Sequence, residues 1–276
     1  MRTMTLDDVP AGLRLCRLSG WNQVADDWTT FLQFSPDACR VAESGGEVVG
    51  TVATLRFAEA FSWIAMILVD PAVRGRGIGT ELIREALEIL RNEKCVRLDA
   101  TEAGARIYRG EGFEEEYRLN RMVTKTRTTP AWIDDGSCTP TRQDDLEEIF
   151  DLDTKVFGAD RSRLLLSFLA RAPEYAWVAR TGPALQGYVF GRHGYHHEHV
   201  GPLTATSELT ALNLLSRCLI QQPACSFLID TSDAWSGSLQ TAGFELERPL
   251  IRMYRGSRIR PVSETYQFGI AGPEFG

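Results

Sequence analysis

The sequence predicts two copies of one α/β fold, each a mixed sheet with helices on both faces. Length is the first observation, because 276 residues correspond to two domains at about 150 residues each. The second is a chain order in which hairpin-paired strands precede strands crossed by helices, which is typical of a mixed sheet. The third is an internal repeat: a shift of 131 residues places Asp99 on Asp230 and Gly112-Phe113-Glu114 on Gly243-Phe244-Glu245.

Hydrophobic spacing divides the first copy into helices and strands. Ser44-Gly45-Gly46-Glu47 predicts a hairpin turn. Phe61 to Val69 is apolar almost throughout, as expected of a strand buried on both faces. Thr80 to Arg91 carries leucine and isoleucine at helical spacing and predicts an amphipathic helix. In chain order the predicted elements are helices 7–17 and 24–34, strands 39–42, 48–57 and 61–69, helix 80–91, strand 95–100, helix 103–110 and strand 113–122.

A change in composition separates the two copies. Residues 124–142 are polar, rich in threonine and contain two prolines, which is typical of a linker. The sequence therefore predicts a first domain at 1–127, a linker at 128–140 and a second domain at 141–276. At the end of the second domain, residues 255–276 show little periodicity and are expected to form a tail packed across the domains.

Charge and hydropathy argue against several classes of protein. The net charge of −7 disfavours a nucleic-acid binder, whose surface would be basic. No apolar run reaches the ~18–20 residues of a membrane span, and the first residues lack the apolar core of a signal peptide. The six cysteines form no CxxC pair, which favours a reducing compartment. We therefore expect a cytoplasmic protein, monomeric or homodimeric, with no nucleic-acid or membrane partner.

A glycine-rich turn lies between the apolar strand and the amphipathic helix. Arg74-Gly75-Arg76-Gly77-Ile78-Gly79 has three glycines spaced by two, which permit tight turns and close backbone approach. The helix that follows has unpaired N–H groups at its start and a dipole that favours anions, and two arginines add positive charge. A pyrophosphate is the expected ligand. The turn lacks the Gly-Lys-Ser/Thr of a P-loop NTPase, and it follows the strand at 61–69 rather than the first strand, unlike a Rossmann site.

Two motifs resemble those of the GCN5-related N-acetyltransferases (GNAT). The glycine-rich turn is similar to the family's Arg/Gln-x-x-Gly-x-Gly/Ala motif, and Val69-Asp70-Pro71 resembles its usual lead-in. Ile107-Tyr108-Arg109-Gly110-Glu111-Gly112-Phe113 resembles the family's Leu-Tyr-x-x-x-Gly-Phe segment. The resemblance covers roughly residues 2–125. The sequence further resembles a bacterial two-domain subgroup, whose C-terminal acetyltransferase-like domain is degenerate, at Gly20-Trp21-Asn22-Gln23, Asp27-Trp28 and Leu98-Asp99-Ala100-Thr101.

The resemblance implies a tandem acyl-CoA N-acyltransferase fold, mostly antiparallel and splayed after the fourth strand, with acetyl-CoA in the gap. It implies that the pyrophosphate binds N–H groups of the turn and that pantetheine pairs with the free edge of the fourth strand. It also implies direct attack of an amine on the thioester in a ternary complex. The cofactor-binding residues on this interpretation are Ile67, Leu68, Val69, Arg74, Gly75, Arg76, Gly77, Ile78, Gly79, Thr80 and Thr101.

The catalytic machinery of the family is only partly matched. Tyr108 stands where the family has a proton donor for the leaving CoA thiolate, and an ordinary tyrosine pKa near ~10 suits that role; packing beside the Gly-Phe turn is the alternative. Thr101 replaces the asparagine often found seven residues before the tyrosine. Residues 61–69 contain no carboxylate or histidine, so the general base is open between Asp27, Glu59 and a water chain.

The acceptor is predicted to be a primary amine of a small molecule or peptide, bordered by the segment between the first two helices. Two indoles with a carboxylate can bind a cationic amine through cation–π contacts and charge pairing; core packing and helix capping are the alternative. The candidate acceptor residues are Trp21, Asn22, Asp27, Trp28 and Trp63. A non-catalytic acyl-CoA sensor is the alternative function, because the family's usual base and asparagine are missing.

The second copy is predicted to be degenerate. The repeat places Ala205-Thr206-Ser207-Glu208-Leu209-Thr210 on the glycine-rich turn and Leu239 on Tyr108. The glycines and arginines are lost and a carboxylate faces the phosphate position, so a structural or substrate-defining role is expected. All four histidines lie in the segment 192–199, and imidazoles beside a glutamate are typical zinc ligands. Because neighbouring strand side chains alternate in direction, we predict a solvated hairpin and no metal; lining of the substrate gap is the alternative.

Overall fold

The computed structural model describes residues 1–124, 136–258 and 266–276. Residues 128–135 of the predicted linker lie outside these ranges, and a short strand at Cys138–Pro140 forms its end. Within the described ranges, no helix combines the length and the apolar character that crossing a membrane requires.

The described chain divides into two compact units. Unit 1 consists of Met1–Tyr117, a segment that begins at Ile251, and Phe275. Short 3-10 helices at Leu6–Asp8 and Pro71–Val73 precede its first and third α-helices. Its strands and α-helices in chain order are β1 (Arg2–Thr3), α1 (Val9–Leu18), α2 (Ala25–Phe34), β2 (Arg40–Ser44), β3 (Glu47–Phe57), β4 (Phe61–Val69), α3 (Ile78–Ile89), β5 (Cys95–Ala100), α4 (Glu102–Gly110) and the start of β6 (Glu114–Val123).

Unit 2 contains the described residues of 118–250 together with residues 266–274 and Gly276. Short 3-10 helices lie at Gln143–Asp145 and Pro173–Tyr175. After the second part of β6, its elements are β7 (Cys138–Pro140), α5 (Leu146–Phe157), α6 (Ser162–Arg171), β8 (Trp177–Thr181), β9 (Ala184–Arg192), β10 (Glu198–Ala205), α7 (Glu208–Gln221), β11 (Phe227–Ser232), α8 (Asp233–Thr241), the first part of β12 (Glu245–Gly256) and β13 (Gln267–Gly269).

Every element predicted in the first half is present, and the ends differ by a few residues at most. The largest shifts are at the helix after the glycine-rich turn, which begins at Ile78 rather than Thr80, and at the first helix, whose predicted start forms a 3-10 turn. Gly77, at φ 84, is the N-cap of α3, so the chain enters the helix directly from the turn. The mixed, mostly antiparallel sheet flanked by helices confirms the predicted fold class.

Each unit takes its last strand from the other half of the sequence. In unit 1 the sheet order is β1-β2-β3-β4-β5 followed by the last part of β12, in which Arg252 pairs with Asp99. In unit 2 the order is β7-β8-β9-β10-β11 followed by the last part of β6, in which Arg121 pairs with Asp230. Both pairings follow the repeat, because Asp99 and Asp230, like Arg121 and Arg252, are 131 positions apart. The exchange is therefore reciprocal.

Helices α3 and α4 cover one face of the unit 1 sheet. Leu82, Ile83 and Ala86 of α3 are fully buried against it, and burial of a leucine or isoleucine side chain stabilises by roughly 1.5–3 kcal/mol. The strand residues in this core include Ile64, Val96, Leu98, Ala100, Ile251 and Met253. Because strand side chains alternate between faces, the residues between them point to the opposite face of the sheet.

Candidate active site

Strands β4 and β5 diverge at the centre of unit 1. Their parallel pairing comprises Ser62↔Val96 and Trp63↔Arg97, and the described residues add no further rung. On its other edge, β4 stays paired with β3 as far as Val69. The edge of β4 beyond Trp63 therefore lines a gap, which confirms the splay predicted after the fourth strand.

A backbone bulge lies on β4 beside this gap. Met66 has φ 55, and the β3–β4 register shifts next to Thr51. The Thr51 hydroxyl donates to the Met66 carbonyl at 2.8 Å and holds the bulge in place. A side-chain-bearing residue in the left-handed region costs roughly 1–2 kcal/mol, so the surrounding sheet must stabilise this conformation. The predicted pantetheine-binding residues 67–69 follow the bulge directly.

The glycine-rich turn leaves its backbone open. Gly75 and Gly77 have φ 79 and 84, the left-handed region that favours glycine, and a Cβ on either would have no neighbour within 4 Å. The start of α3, at Ile78, Gly79 and Thr80, has no side-chain cap, so its first N–H groups can bind an anion. Arg76 is exposed on the same turn.

Arg74 fastens the turn to β4. Its Nε donates to the Val69 carbonyl at 3.0 Å and its Nη2 donates to the Ser19 hydroxyl at 3.3 Å. Asp70 accepts from the Ala72 N–H at 3.0 Å and from Arg14 at 2.6 Å, and the Arg14 guanidinium lowers the pKa of the Asp70 carboxyl. Arg74 therefore shapes the turn, and both Arg74 and Arg76 are exposed at its surface.

Tyr108 lies on α4, the helix that directly follows β5. Its ring packs 6.1 Å from that of Phe113, and a Cβ at Gly104 would lie 3.0 Å from the tyrosine ring and 3.3 Å from its hydroxyl. Gly104 thus provides the room that Tyr108 occupies. Thr101 is the N-cap of α4, where its hydroxyl accepts from the Gly104 N–H at 3.2 Å. The Thr101 hydroxyl therefore contacts the backbone of its own helix.

Burial raises the pKa of Tyr108 above its ordinary value, because the phenolate would lose solvation. No hydrogen bond of its hydroxyl to another described residue is present. The group therefore stays protonated at neutral pH and has a proton to donate.

Two of the acceptor candidates lie in the core of unit 1. Trp28 is fully buried, and a Cβ at Gly12 would lie 2.8 Å from its ring, so the indole packs tightly on α1. Asp27 is buried and accepts from the Val24 N–H at 3.0 Å at the start of α2. These contacts are the packing and capping that the sequence left open as alternatives.

The other candidates are distributed differently. Asn22 is buried, whereas Trp21 is half-buried and its carbonyl accepts from Arg17 at 2.9 Å. Trp63 is buried at the last rung before β4 and β5 diverge. Glu59, one of the possible bases, is exposed in the turn between β3 and β4.

Sequence reasoning missed Arg252, which lies at the closed end of the gap in unit 1. Its guanidinium donates to both oxygens of Asp99 and lies over the Trp63 ring. The available signal was the repeat, which aligns Arg121 with Arg252 and Asp99 with Asp230. Sequence spacing alone would have paired Asp99 with Arg121, within one copy.

The corresponding gap in unit 2 is filled. Strands β10 and β11 share only Glu198↔Phe227 and His199↔Leu228, as in unit 1. Beyond these rungs β13 pairs with β10, with Leu203 opposite Gly269. On its other side, the Ile270 N–H donates to the Asp230 carbonyl at 3.0 Å and the Thr231 hydroxyl donates to the Phe268 carbonyl at 2.6 Å. The predicted tail therefore supplies a strand to this gap.

The phosphate turn of unit 2 is shortened, which corrects the predicted alignment. From α3 onward, residues 131 positions apart occupy equivalent places in the two units. Before α3 this offset fails, because it aligns Pro71 in the turn with Pro202, a residue of β10. Only residues 206–207 separate β10 from α7, compared with 70–77 in unit 1. The Ser207 hydroxyl caps α7 by accepting from the Thr210 N–H at 3.2 Å. The missing turn and the capped helix both remove the anion site.

The histidine segment is held by protein contacts. His193 Nδ1 lies 2.8 Å from the Glu198 carboxylate, His197 Nδ1 lies 2.9 Å from the Ser226 hydroxyl, and His199 Nε2 lies 3.5 Å from Asp230. Within the described ranges, no three histidine, cysteine, aspartate or glutamate side chains form a group that could hold a metal ion. Unlike the solvated hairpin that was predicted, His199 is buried.

The fold and the open gap define the class of the protein. Residues 12–113 match the family model described as "Acetyltransferase (GNAT) family", and residues 149–269 match the model described as "Acetyltransferase (GNAT) domain". The chain belongs to the GNAT acetyltransferases, carries two domains of that family in tandem, and is an acyltransferase.

Individual relatives agree with this assignment. The chain is 25% identical over 261 residues to a holothin acyltransferase from a Pseudoalteromonas species, covering 93% of this chain and 87% of the relative. A proposed acetyltransferase from Pyrococcus horikoshii has a similar structure, with a TM-score of 0.82 at 25% identity, covering 100% of this chain and 95% of that one. A tandem GNAT protein from the clavulanic acid biosynthesis pathway shares the fold, with a TM-score of 0.64 at 16% identity and coverage of 94% and 98%.

Proposed function

We propose that unit 1 transfers an acetyl group from acetyl-CoA to a primary amine of a small molecule or peptide. The observation that carries this proposal is the gap between β4 and β5, which opens between the glycine-rich turn and Tyr108 on α4. Acetyl-CoA supplies an activated acetyl thioester. The residues described above fit its parts: an uncapped helix start for the pyrophosphate, and a free strand edge for the pantetheine amides.

The turn and the strand edge would bind and orient the donor. Positive φ at Gly75 and Gly77, with no atoms above either Cβ position, lets backbone N–H groups approach phosphate oxygens closely. Arg76 would add a charge-assisted contact at the rim, while Arg74 holds the turn against Val69. A backbone N–H next to the Met66 bulge would polarise the thioester carbonyl, because a fixed donor stabilises negative charge on oxygen.

Two proton transfers would accompany the reaction, one to the leaving sulfur and one from the amine. The acceptor nitrogen forms a bond to the acetyl carbon while the carbon–sulfur bond breaks, in one ternary complex. Tyr108, which is protonated at neutral pH, donates a proton to the sulfur as the carbon–sulfur bond breaks and recovers a proton from water afterwards. The proton lost by the amine leaves to water, because Asp27 already caps α2 and Glu59 is exposed in a turn.

The test is release of CoA thiol from acetyl-CoA with a panel of aliphatic, aromatic and peptide primary amines. Wild type should acetylate at least one amine, and Tyr108→Phe should lower kcat by about 10²–10⁴-fold, the usual contribution of a general acid. Tyr195→Phe, at an exposed tyrosine of unit 2, is the matched control and should keep wild-type kcat. Tight acetyl-CoA binding without turnover on any amine would favour the sensor function, and unchanged kcat in Tyr108→Phe would remove the acid role.

A further inference from the structure

Arg252 bridges the two strands that diverge in unit 1. Its Nε and Nη2 donate to the two oxygens of Asp99 at 2.9 and 2.8 Å. Its Cζ lies 4.8 Å from the centroid of the Trp63 ring. Asp99 lies on β5 two positions beyond the last rung, and Trp63 lies on β4 at that rung. One side chain therefore connects β4 to β5 where their backbone pairing ends.

This bridge is buried and fully oriented. The side chains of Arg252 and Asp99 are 4% and 0% exposed, so solvent does not screen the pair. Arg252 Nη1 also donates to the Tyr117 hydroxyl at 2.6 Å. A planar guanidinium that donates to three oxygens and covers a ring has one orientation, which a flexible lysine ammonium cannot reproduce.

The bridge has a consequence for the reacting groups. β4 carries the Met66 bulge and the gap edge, and β5 leads directly into α4, whose N-cap is Thr101 and which carries Tyr108. A fixed spacing between β4 and β5 therefore fixes the position of Tyr108 relative to that edge. Misplacement by about 1 Å can cost an enzyme about a hundredfold in rate.

Unit 2 shows which part of the arrangement is general. Arg121 makes the same bidentate pair with Asp230, at 2.8 and 2.9 Å. The ladder position that Trp63 holds in unit 1 is His199 in unit 2, and there the gap contains β13. The arginine–aspartate pair thus belongs to the exchanged strand in both units, whereas the contact with a tryptophan accompanies the open gap.

We propose that Arg252 is a positioning residue for the reaction in unit 1, where it sets the distance between the β4 edge and Tyr108. This inference rests on the proposed function. It gives the degenerate half of the sequence a task in catalysis, because that half encodes the strand that carries Arg252.

The test compares Arg252→Lys with Arg121→Lys, its repeat-related control. The rate is measured with acetyl-CoA and the amine that wild type acetylates fastest in the panel. If no amine reacts, the rate of acetyl-CoA hydrolysis is measured instead. We expect Arg252→Lys to lower kcat by about ten- to a hundredfold and to keep the Kd for acetyl-CoA, by calorimetry, within about twofold of wild type. Arg121→Lys should keep kcat within about twofold even where both variants lower Tm equally.

A double-mutant cycle separates positioning from a structural role. If Arg252 acts by placing Tyr108, Arg252→Lys should change kcat by less than about twofold in a Tyr108→Phe background. Tyr117→Phe, which removes one acceptor of the guanidinium, should lower kcat in the same direction and serves if Arg252→Lys does not fold. Equal effects of the two lysine variants, full additivity with Tyr108→Phe, or unchanged kcat in Tyr117→Phe would overturn the inference. A wild type that fails to bind acetyl-CoA would instead overturn the proposed function and, with it, the inference.

Discussion

Unit 1 and unit 2 share a framework and differ at its centre. In both, two parallel strands pair over only two rungs and then diverge, and an exchanged strand is held by a buried arginine–aspartate pair. In unit 1 the space beyond the rungs is lined by the edge of β4, and a turn with two left-handed glycines leads into an uncapped helix. In unit 2 β13 fills that space, and a capped helix follows the strand after two residues.

The difference shows which features of the proposed donor site are present in unit 1 and absent from the described part of unit 2. The framework and its ion pair are kept, while one added strand and one shortened turn remove the ligand site. Neither change disturbs the core, because β13 satisfies the edge of β10 that a ligand would otherwise meet. Acetyl-CoA should therefore bind this chain once, in unit 1.

The largest expected effect is on folding, when unit 1 is separated from the strand that the second half of the sequence supplies. A fragment of residues 1–127 lacks Ile251 and Met253, which are fully buried in the core of unit 1, and leaves the edge of β5 unpaired. Each lost side chain removes roughly 1.5–3 kcal/mol of burial, against a typical domain stability of about 5–15 kcal/mol. The fragment should show no cooperative unfolding by circular dichroism. Mixing it with a fragment of residues 128–276 should restore the transition; a fragment that unfolds cooperatively and binds acetyl-CoA alone would contradict the exchange.

The next largest expected effect is on acetyl-CoA binding, through a substitution in the glycine-rich turn. Gly77→Glu brings a carboxylate to the helix start, as Glu208 does in unit 2, and should weaken acetyl-CoA binding by about a hundredfold or more, since like charges 4 Å apart cost about 4 kcal/mol near a protein surface. Calorimetry measures the Kd. Gly182→Glu is the matched control, because Gly182 has φ 57 and open space but lies in the β8–β9 turn of unit 2. Equal Kd values for the two variants would contradict a pyrophosphate site at the turn.

Local signals in the sequence were sufficient for one part of this comparison. Glycine spacing between an apolar strand and an amphipathic helix predicts the turn at 74–79, since positive φ and the helix start are properties of neighbouring residues. The strand and helix ends were predictable for the same reason. Tyr108 could be singled out by motif, and its orientation depends on Gly104, four residues away.

The remaining features depend on contacts between distant residues. Nothing local to Arg252 tells whether it pairs with Asp99 or with Asp230, because both aspartates have the same surroundings in the repeat. β13 is three residues long and has no hydrophobic period, so its pairing with β10 could not be predicted. Trp28 and Trp63 look alike in sequence; packing on α1 and the end of a strand ladder distinguish them.

The smallest expected effect is on the pH dependence of stability, and it concerns His199, which holds in unit 2 the ladder position that Trp63 holds in unit 1. Burial lowers the pKa of His199 well below its usual value, and the nearby Arg192, Arg121 and His197 act in the same direction. The folded chain therefore keeps His199 neutral, while the unfolded chain binds a proton below about pH 6.5. The stability contributed by the neutral form is present above that pH and is lost as the pH falls below it.

Acid should thus weaken the folded chain through unit 2. Between pH 7.5 and 5.5 the loss should reach about 1.4 kcal/mol, or a fall of about 3–6 °C in Tm. His199→Gln should reduce this pH dependence of Tm, and His196→Gln, at an exposed histidine of the same segment, should leave it unchanged. If both variants keep the wild-type dependence, the pKa of His199 is the same in the folded and unfolded chains, which would contradict the lowering of that pKa by burial.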